Sequence, residues 1–88
     1  MDKVIKWEDV SYILSSNYRR KVLEKLNNPI TPSKLSKELN INKTHISRAL
    51  SELENKKMIV CLTPKITKGR IYVITDYGKE NLKEVSKL

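Results

Sequence analysis

Cysteine, histidine and glycine are scarce in this chain, and each scarcity excludes a class of site. The single cysteine, Cys61, cannot form a disulfide within the chain, and the same count excludes a cysteine-rich zinc site. The single histidine, His45, leaves no pair of imidazoles for a catalytic metal. Gly69 and Gly78 stand apart, so no glycine-rich phosphate loop is present. Since the sequence also shows no paired carboxylates and no nucleophile beside a base, we expect no enzymatic activity, no metal and no cofactor.

Long hydrophobic runs are absent as well. No apolar stretch approaches the roughly 18 residues that a membrane span needs. The first ten residues, MDKVIKWEDV, alternate charged and apolar side chains where a signal peptide carries an uninterrupted apolar core. Hydrophobic residues make up 39% of the chain, which is typical of a folded domain. We therefore expect a soluble cytoplasmic protein that has no membrane partner.

Positive charge is abundant. The 88 residues suffice for one domain, 1–88, and they carry 18 basic against 10 acidic side chains, a net charge of +8. Six bases and three acids in 31–57 give +3, and three bases without an acid in 58–75 give another +3. This excess favours a polyanionic partner such as nucleic acid.

Apolar residues recur at helical spacing in five stretches of the chain. The five sets are Val10, Ile13 and Leu14; Tyr18, Val22, Leu23 and Leu26; Leu35 and Leu39; Ile46, Ala49, Leu50 and Leu53; and Leu82, Val85 and Leu88. Residues suited to cap the last four helices precede them: Ser16 or Asn17, Thr31, Asn42 and Thr75. The spacing therefore predicts five helices, of which the fourth runs over 43–57.

Two segments rich in β-branched and aromatic residues predict a β-hairpin. They are MIVCLT at 58–63 and RIYVIT at 70–75, and PKITKG at 64–69 joins them. Three bases without an intervening acid lie in the predicted basic wing at 64–70: Lys65, Lys68 and Arg70. The hairpin tip is therefore suited to contact backbone phosphates or a minor groove.

The third and fourth helices meet at a short turn, Asn40 to Asn42, which is typical of a helix-turn-helix. A major groove about 12 Å wide admits a helix whose outward side chains are short or cationic. The outward residues of the fourth helix meet this condition: Thr44, Ser47 and Ser51 are short, and Lys43 and Arg48 are cationic. This composition predicts that the fourth helix enters the major groove of double-stranded DNA.

From about Leu14 to Leu82 the chain resembles the winged helix-turn-helix transcriptional regulators of the ArsR and MarR groups, especially their small archaeal and bacterial members. LSSNYRRKVLEKL resembles the first helix of that family, TPSKLSKELNINKTHISRALSELENKKMIV its helix-turn-helix and first wing strand, and IYVITDYGKENL the ending before its last helix. The resemblance implies an α+β, mostly helical fold: a three-helix core with a two-stranded wing, plus short N- and C-terminal helices. It places Lys43, Thr44, His45, Ser47 and Arg48 at recognition positions and Lys65, Lys68 and Arg70 in the wing.

The chain departs from that family pattern at three points. Lys57 stands where the family commonly has a glycine, and because a left-handed lysine costs about 1 kcal/mol, we expect the helix end to be shaped differently. No pair of cysteines lies on the recognition helix, so the metal sensing of many ArsR relatives is not implied. The terminal helices are shorter than the dimerisation arms of MarR relatives, which leaves the oligomeric state and any small-molecule effector open.

Our leading hypothesis is a sequence-specific DNA-binding transcriptional regulator that acts as a homodimer, because paired half-sites supply affinity that one short helix lacks. The apolar stripes of either terminal helix could pack on their own domain or on a second copy. His45 could contact DNA or simply cover the domain surface. The alternatives are a winged-helix module for protein–protein interaction and a nonspecific chromosomal DNA-binding protein.

Overall fold

A computed structural model describes residues 4–88, and residues 1–3 of the predicted domain lie outside the described part. The elements in chain order are α1 (Trp7–Leu14), α2 (Arg19–Lys25), α3 (Pro32–Leu39), α4 (Lys43–Asn55), β1 (Ile59–Cys61), β2 (Tyr72–Ile74) and α5 (Asp76–Ser86). The predicted α+β, mostly helical class is therefore confirmed. Helices α2 to α4 form the three-helix core, β1 and β2 form the wing, and α1 and α5 are the terminal helices.

Three of the predicted helix caps are confirmed by their hydrogen bonds. The Thr31 hydroxyl accepts from the Lys34 amide at 3.2 Å, and the Asn42 side chain accepts from the Thr44 amide at 2.8 Å. Thr75 accepts from the Gly78 amide at 3.1 Å. These bonds satisfy amides that a helix leaves unpaired at its start, and so they fix where α3, α4 and α5 begin.

The predicted cap of α2 by Ser16 or Asn17 is wrong. The N-cap of α2 is Tyr18, whose side chain makes no capping bond. Its backbone, at φ −108° and ψ −14°, is already in the right-handed helical region, whereas a capping side chain needs an extended residue at this position. The chain therefore turns into α2 without a polar cap.

The turn between α3 and α4 has the predicted form. Asn40 adopts the left-handed conformation at φ +54°, and the Ile41 amide donates to the Ser36 carbonyl at 3.1 Å. Ile41 is partly buried against the core. This turn orients α4 across α3 and confirms the helix-turn-helix.

The wing strands are shorter than predicted, with three residues each instead of six. They are antiparallel, with Ile59 opposite Ile74 and Cys61 opposite Tyr72. The wing loop consequently extends beyond the predicted 64–70 and covers 62–71. The reason is Thr63: its hydroxyl accepts from the Ile71 amide at 3.0 Å, which turns the chain away from regular pairing.

The hydrophobic core lies where the five helices meet the inner face of the hairpin. Its most deeply buried aliphatic side chains are Val10, Ile13, Val22, Leu23, Leu26, Leu35, Ile46, Leu53, Met58 and Val85. Each terminal helix contributes some of its apolar residues to this core and leaves others exposed. Val10 and Val85 pack within their own domain, whereas Trp7 and Leu88 are 64% and 69% exposed.

The end of α4 corrects a further expectation. The helix ends at Asn55, two residues earlier than predicted, and Lys57 adopts the left-handed conformation at φ +66°. The Met58 amide then donates to the Leu53 carbonyl at 3.0 Å, and Met58 is fully buried. This is the helix end that usually carries glycine. Burial of Met58 and the closing hydrogen bond therefore outweigh the strain at Lys57.

We expect Lys57→Gly to raise the free energy of unfolding by about 1 kcal/mol, because glycine adopts a positive φ without strain. Urea denaturation followed by circular dichroism measures the change. Lys57→Ala is the matched control, since it removes the charge and retains the strained Cβ. An equal gain in both variants would mean that removal of charge, and not of strain, stabilises the fold.

Candidate nucleic-acid interface

Helix α4 presents one buried and one exposed face, as its sequence predicts. Ile46, Ala49, Leu50 and Leu53 are buried in the domain. All six predicted contact residues of this helix are exposed: Lys43, Thr44, His45, Ser47, Arg48 and Ser51. The structure thus brings these six side chains together on the open side of one helix, immediately after the turn.

The two halves of α4 differ in charge. Within residues 4–88, Lys43 and Arg48 in the first half make no ion pair, so both cations are available to a ligand. The acidic side chains Glu52 and Glu54 lie in the second half. The positive potential is therefore concentrated at the start of the helix, where the free amides and the helix dipole also favour an anion.

A polar cluster that the sequence does not reveal holds the second half of α4 in place. The Tyr12 hydroxyl of α1 donates to Glu52, and the Arg19 guanidinium lies 3.6 Å from the same carboxylate and 3.8 Å from the centre of the Tyr12 ring. Burial, together with the bond to Glu52, raises the pKa of Tyr12, so this hydroxyl remains a donor at neutral pH. The cluster fixes α4 against α1 and α2.

His45 lies at the flank of the interface. Its ring centroid is 6.1 Å from that of Tyr18, the N-cap of α2, at an interplanar angle of 57°. Its side chain is therefore directed toward the start of α2 while remaining exposed. Tyr18 thus borders the candidate interface, and no charge or spacing signal in the sequence marks it.

The three basic wing residues are not equivalent. Lys65 and Lys68 are exposed and make no ion pair within the described chain. The Arg70 Nε donates to the Ile66 carbonyl at 2.6 Å, and the neighbouring Tyr72 side chain raises the pKa of Arg70. Arg70 is therefore held at the base of the loop by its bond to Ile66, whereas the two lysines are exposed charges without an ion pair.

A cleft of about 500 Å³ separates the wing from the start of α3. Its lining comes from both sides: Thr31, Pro32 and Ser33 from the beginning of α3, and Thr67, Gly69, Arg70 and Tyr72 from the wing. The first turn of α3 contains no acidic residue. The sequence analysis did not single out Ser33 and Thr67. The only sequence signals near them are the predicted N-cap at Thr31 and the glycine at position 69.

No group of three or more histidine, cysteine or acidic side chains in residues 4–88 could hold a metal ion. No helix in the same range is long and apolar enough to cross a membrane.

Solved structures share this arrangement of helices and wing, although no protein-family model and no curated protein matches the chain. A cysteine-to-serine mutant of MarR from E. coli, complexed with operator DNA, is 25% identical with a TM-score of 0.74 over 92% of this chain. The MarR family transcription regulator SP03579 is 22% identical with a TM-score of 0.74, and the transcriptional regulator Tm0710 from Thermotoga maritima is 21% identical with a TM-score of 0.72. The chain has the winged helix-turn-helix fold of the MarR regulators.

The likeness covers only part of these proteins. The chain spans 60% of the E. coli structure, 55% of SP03579 and 61% of Tm0710.

The fold shared with these structures confirms the MarR part of the resemblance that the sequence shows to ArsR and MarR regulators.

Proposed function

We propose that this chain binds double-stranded DNA in a sequence-specific manner and regulates transcription, with α4 in the major groove and the wing on the adjacent backbone or minor groove. The observation that carries the proposal is the exposed face of α4. Short side chains at Thr44, Ser47 and Ser51 let the helix enter a groove, and Arg48 beside them has no partner within residues 4–88. The operator complex of E. coli MarR, which shares the fold, supports it.

The cleft between α3 and the wing supports a phosphate contact beside the helix. Arg70 lies on one side of this cleft, and the start of α3, the positive end of its helix dipole, lies on the other. A backbone phosphate in the cleft would be held from both sides. Lys65 and Lys68 extend the positive surface outward along the same strand of DNA.

We further propose that the protein acts as a homodimer in the cytoplasm. The exposed apolar side chains are Trp7, at the start of α1, and Leu88, two residues beyond the end of α5, and burying them against a second copy would stabilise a dimer. Two copies would read a pseudo-palindromic site with half-sites about one helical turn apart.

We expect helix and wing variants to lose DNA affinity in different ways. Arg48→Ala should cost about 1 to 3 kcal/mol on a duplex selected from a random pool and relax base choice at one position, because an arginine can bind a guanine edge with two hydrogen bonds. Lys65→Ala or Lys68→Ala should weaken selected and scrambled duplexes equally and reduce the salt slope by about 1. Fluorescence anisotropy on both duplexes across a salt series measures these effects.

Lys83→Ala is the matched control, since this exposed lysine lies on α5, away from the proposed interface. A parallel loss on both duplexes for Arg48→Ala would reduce Arg48 to a phosphate contact, and nonspecific chromosomal binding would then be the better hypothesis. No loss on either duplex would favour the protein-interaction alternative.

A footprint of two half-sites together with twice the monomer mass in light scattering supports the homodimer, and a single half-site with the monomer mass contradicts it.

A further inference from the structure

The outer face of the wing is apolar and partly exposed, with Ile71 and Val73 half-buried. The register places Val60 opposite Val73, and the Leu62 amide donates to the Ile71 carbonyl at 2.7 Å, so these four aliphatic side chains share one face of the hairpin. The opposite face, with Ile59 and Ile74, is buried in the core. On the outer face, Val60 is 44% and Leu62 51% exposed, which is a large apolar exposure for so small a hairpin.

The backbone of β1 also has an open edge. On the far side of β2, Tyr72 exchanges hydrogen bonds with Ile30, and the Ile74 amide donates to the Leu26 carbonyl. Because the bonds of an antiparallel pair alternate in direction, Ile59 and Cys61 direct their amides and carbonyls away from β2. No other element within residues 4–88 bonds to them. This edge is therefore a template for one further strand.

The wing segment itself carries charge of one sign. From Asn55 to Thr75 the chain contains no acidic residue and five bases, Lys56, Lys57, Lys65, Lys68 and Arg70. Of these, Lys56 is bound to Asp9, and the other four make no ion pair within the described residues. An apolar strip with a cationic border is complementary to a segment that combines aliphatic and acidic side chains.

We propose that the open edge of β1 and the outer face of the wing form a docking site for an extended acidic segment of another protein. The segment adds a strand beside β1, and its alternate aliphatic side chains cover Val60 and Leu62. A second copy of the wing is the poorer occupant, because it would bring the same cationic border against this one. A lipid surface offers no donors and acceptors in register with Ile59 and Cys61. The site goes beyond the proposed DNA contact, since its aliphatic face offers nothing to a phosphate.

The probe is a fluorescein-labelled seven-residue peptide of alternating glutamate and valine, titrated with the full chain and followed by anisotropy. We expect saturable binding. Two control peptides separate the contributions: one carries N-methyl groups on alternate amides, which removes half of the strand hydrogen bonds, and the other replaces glutamate by lysine. Each should bind about tenfold more weakly or worse. Equal binding of the N-methylated peptide overturns the proposed strand addition.

Variants of the protein locate the site. Leu62→Glu should weaken the peptide about tenfold, because it removes apolar contact and adds a like charge, whereas Trp7→Glu, at another exposed apolar position, should leave binding unchanged. Cys61→Pro is a second variant: it removes an edge donor without breaking a bond to β2, and so the hairpin should remain folded by circular dichroism while binding falls.

Three further results would overturn the assignment. Unchanged peptide affinity in both Leu62→Glu and Cys61→Pro would place the peptide elsewhere. The chain could instead bind vesicles of phosphatidylcholine and phosphatidylglycerol and not the peptide. If Leu62→Glu abolished that vesicle binding, the face would be a membrane contact. The chain could also sediment as a dimer and not bind the peptide. If Leu62→Glu dissociated that dimer, the outer face of the wing would be a contact between two copies. DNA affinity of the wild-type chain, measured in the absence of peptide, keeps these outcomes separate from the proposed function.

Discussion

Replacing Gly78 by alanine is expected to lower the free energy of unfolding by about 3 kcal/mol, although alanine usually stabilises a helix relative to glycine. A Cβ at this position would lie 2.2 Å from the Met58 carbonyl oxygen and 2.7 Å from Cγ1 of Ile74. The nearer atom is backbone, and the same carbonyl accepts a hydrogen bond from the Thr75 amide at 2.9 Å. Relief of the clash therefore requires α5 to move away from the start of β1.

Urea denaturation measures this loss, and Gly69→Ala is its control. Gly69 has a positive φ of +71°, but a Cβ added there would meet no atom within 4 Å beyond its chain neighbours. Alanine at this position should therefore cost only the backbone strain of about 1 kcal/mol. A Gly78→Ala variant that is no less stable than Gly69→Ala would show that α5 adjusts freely, and the close contact between α5 and β1 would then contribute little to the fold.

Local chemistry explains why much of this fold could be predicted from the sequence. The caps at Thr31, Asn42 and Thr75 act within three residues of themselves, and the apolar spacing of α4 depends only on its own helical period. The same spacing predicts that the six contact candidates of α4 are exposed. What they contact is a property of a partner, and so it stays a prediction.

Contacts between distant parts of the chain explain what the sequence did not predict. The left-handed Lys57 is imposed by burial of Met58, which opposes the intrinsic preference of lysine. The cleft beside Arg70 forms because Ile30 pairs with Tyr72, 42 residues away in sequence, and brings the start of α3 to the wing. Neither periodicity nor composition encodes such a pairing.

The buried carboxylate of Asp9 is a further long-range feature, and its removal is the second large expected effect. Asp9 is only 7% exposed; Lys56 donates to its Oδ1 at 3.1 Å, and the Tyr77 hydroxyl donates to its Oδ2. These bonds join α1, the end of α4 and α5. We expect Asp9→Asn to lower the free energy of unfolding by about 2 kcal/mol at pH 7, because hydrogen bonds to a charged acceptor are lost and Lys56 loses its counter-ion.

The pH dependence of this loss distinguishes the charge from the shape of Asp9. Burial alone raises the pKa of Asp9, but the bonds from Tyr77 and Lys56 and the charge of Lys56 outweigh it, and the pKa lies below its ordinary value of 3.8. A carboxyl whose pKa is lowered by folding stabilises the fold above its unfolded-state pKa, and this stabilisation is lost as the pH falls through the folded-state value. The difference between the wild-type chain and Asp9→Asn should therefore be constant from neutral pH to about pH 5 and shrink below about pH 4.

Denaturation at a series of pH values tests this expectation against Glu84→Gln. Glu84 forms an exposed pair with Lys87 at 3.0 Å, and such pairs contribute about 0 to 1 kcal/mol, so this variant should resemble the wild-type chain at every pH. A loss in Asp9→Asn that stays the same down to pH 2 would arise from packing and not from the ionised carboxylate. The link between α1, α4 and α5 would then depend on the neutral bond to Tyr77, and the lowered pKa of Asp9 would have no part in the stability of the fold.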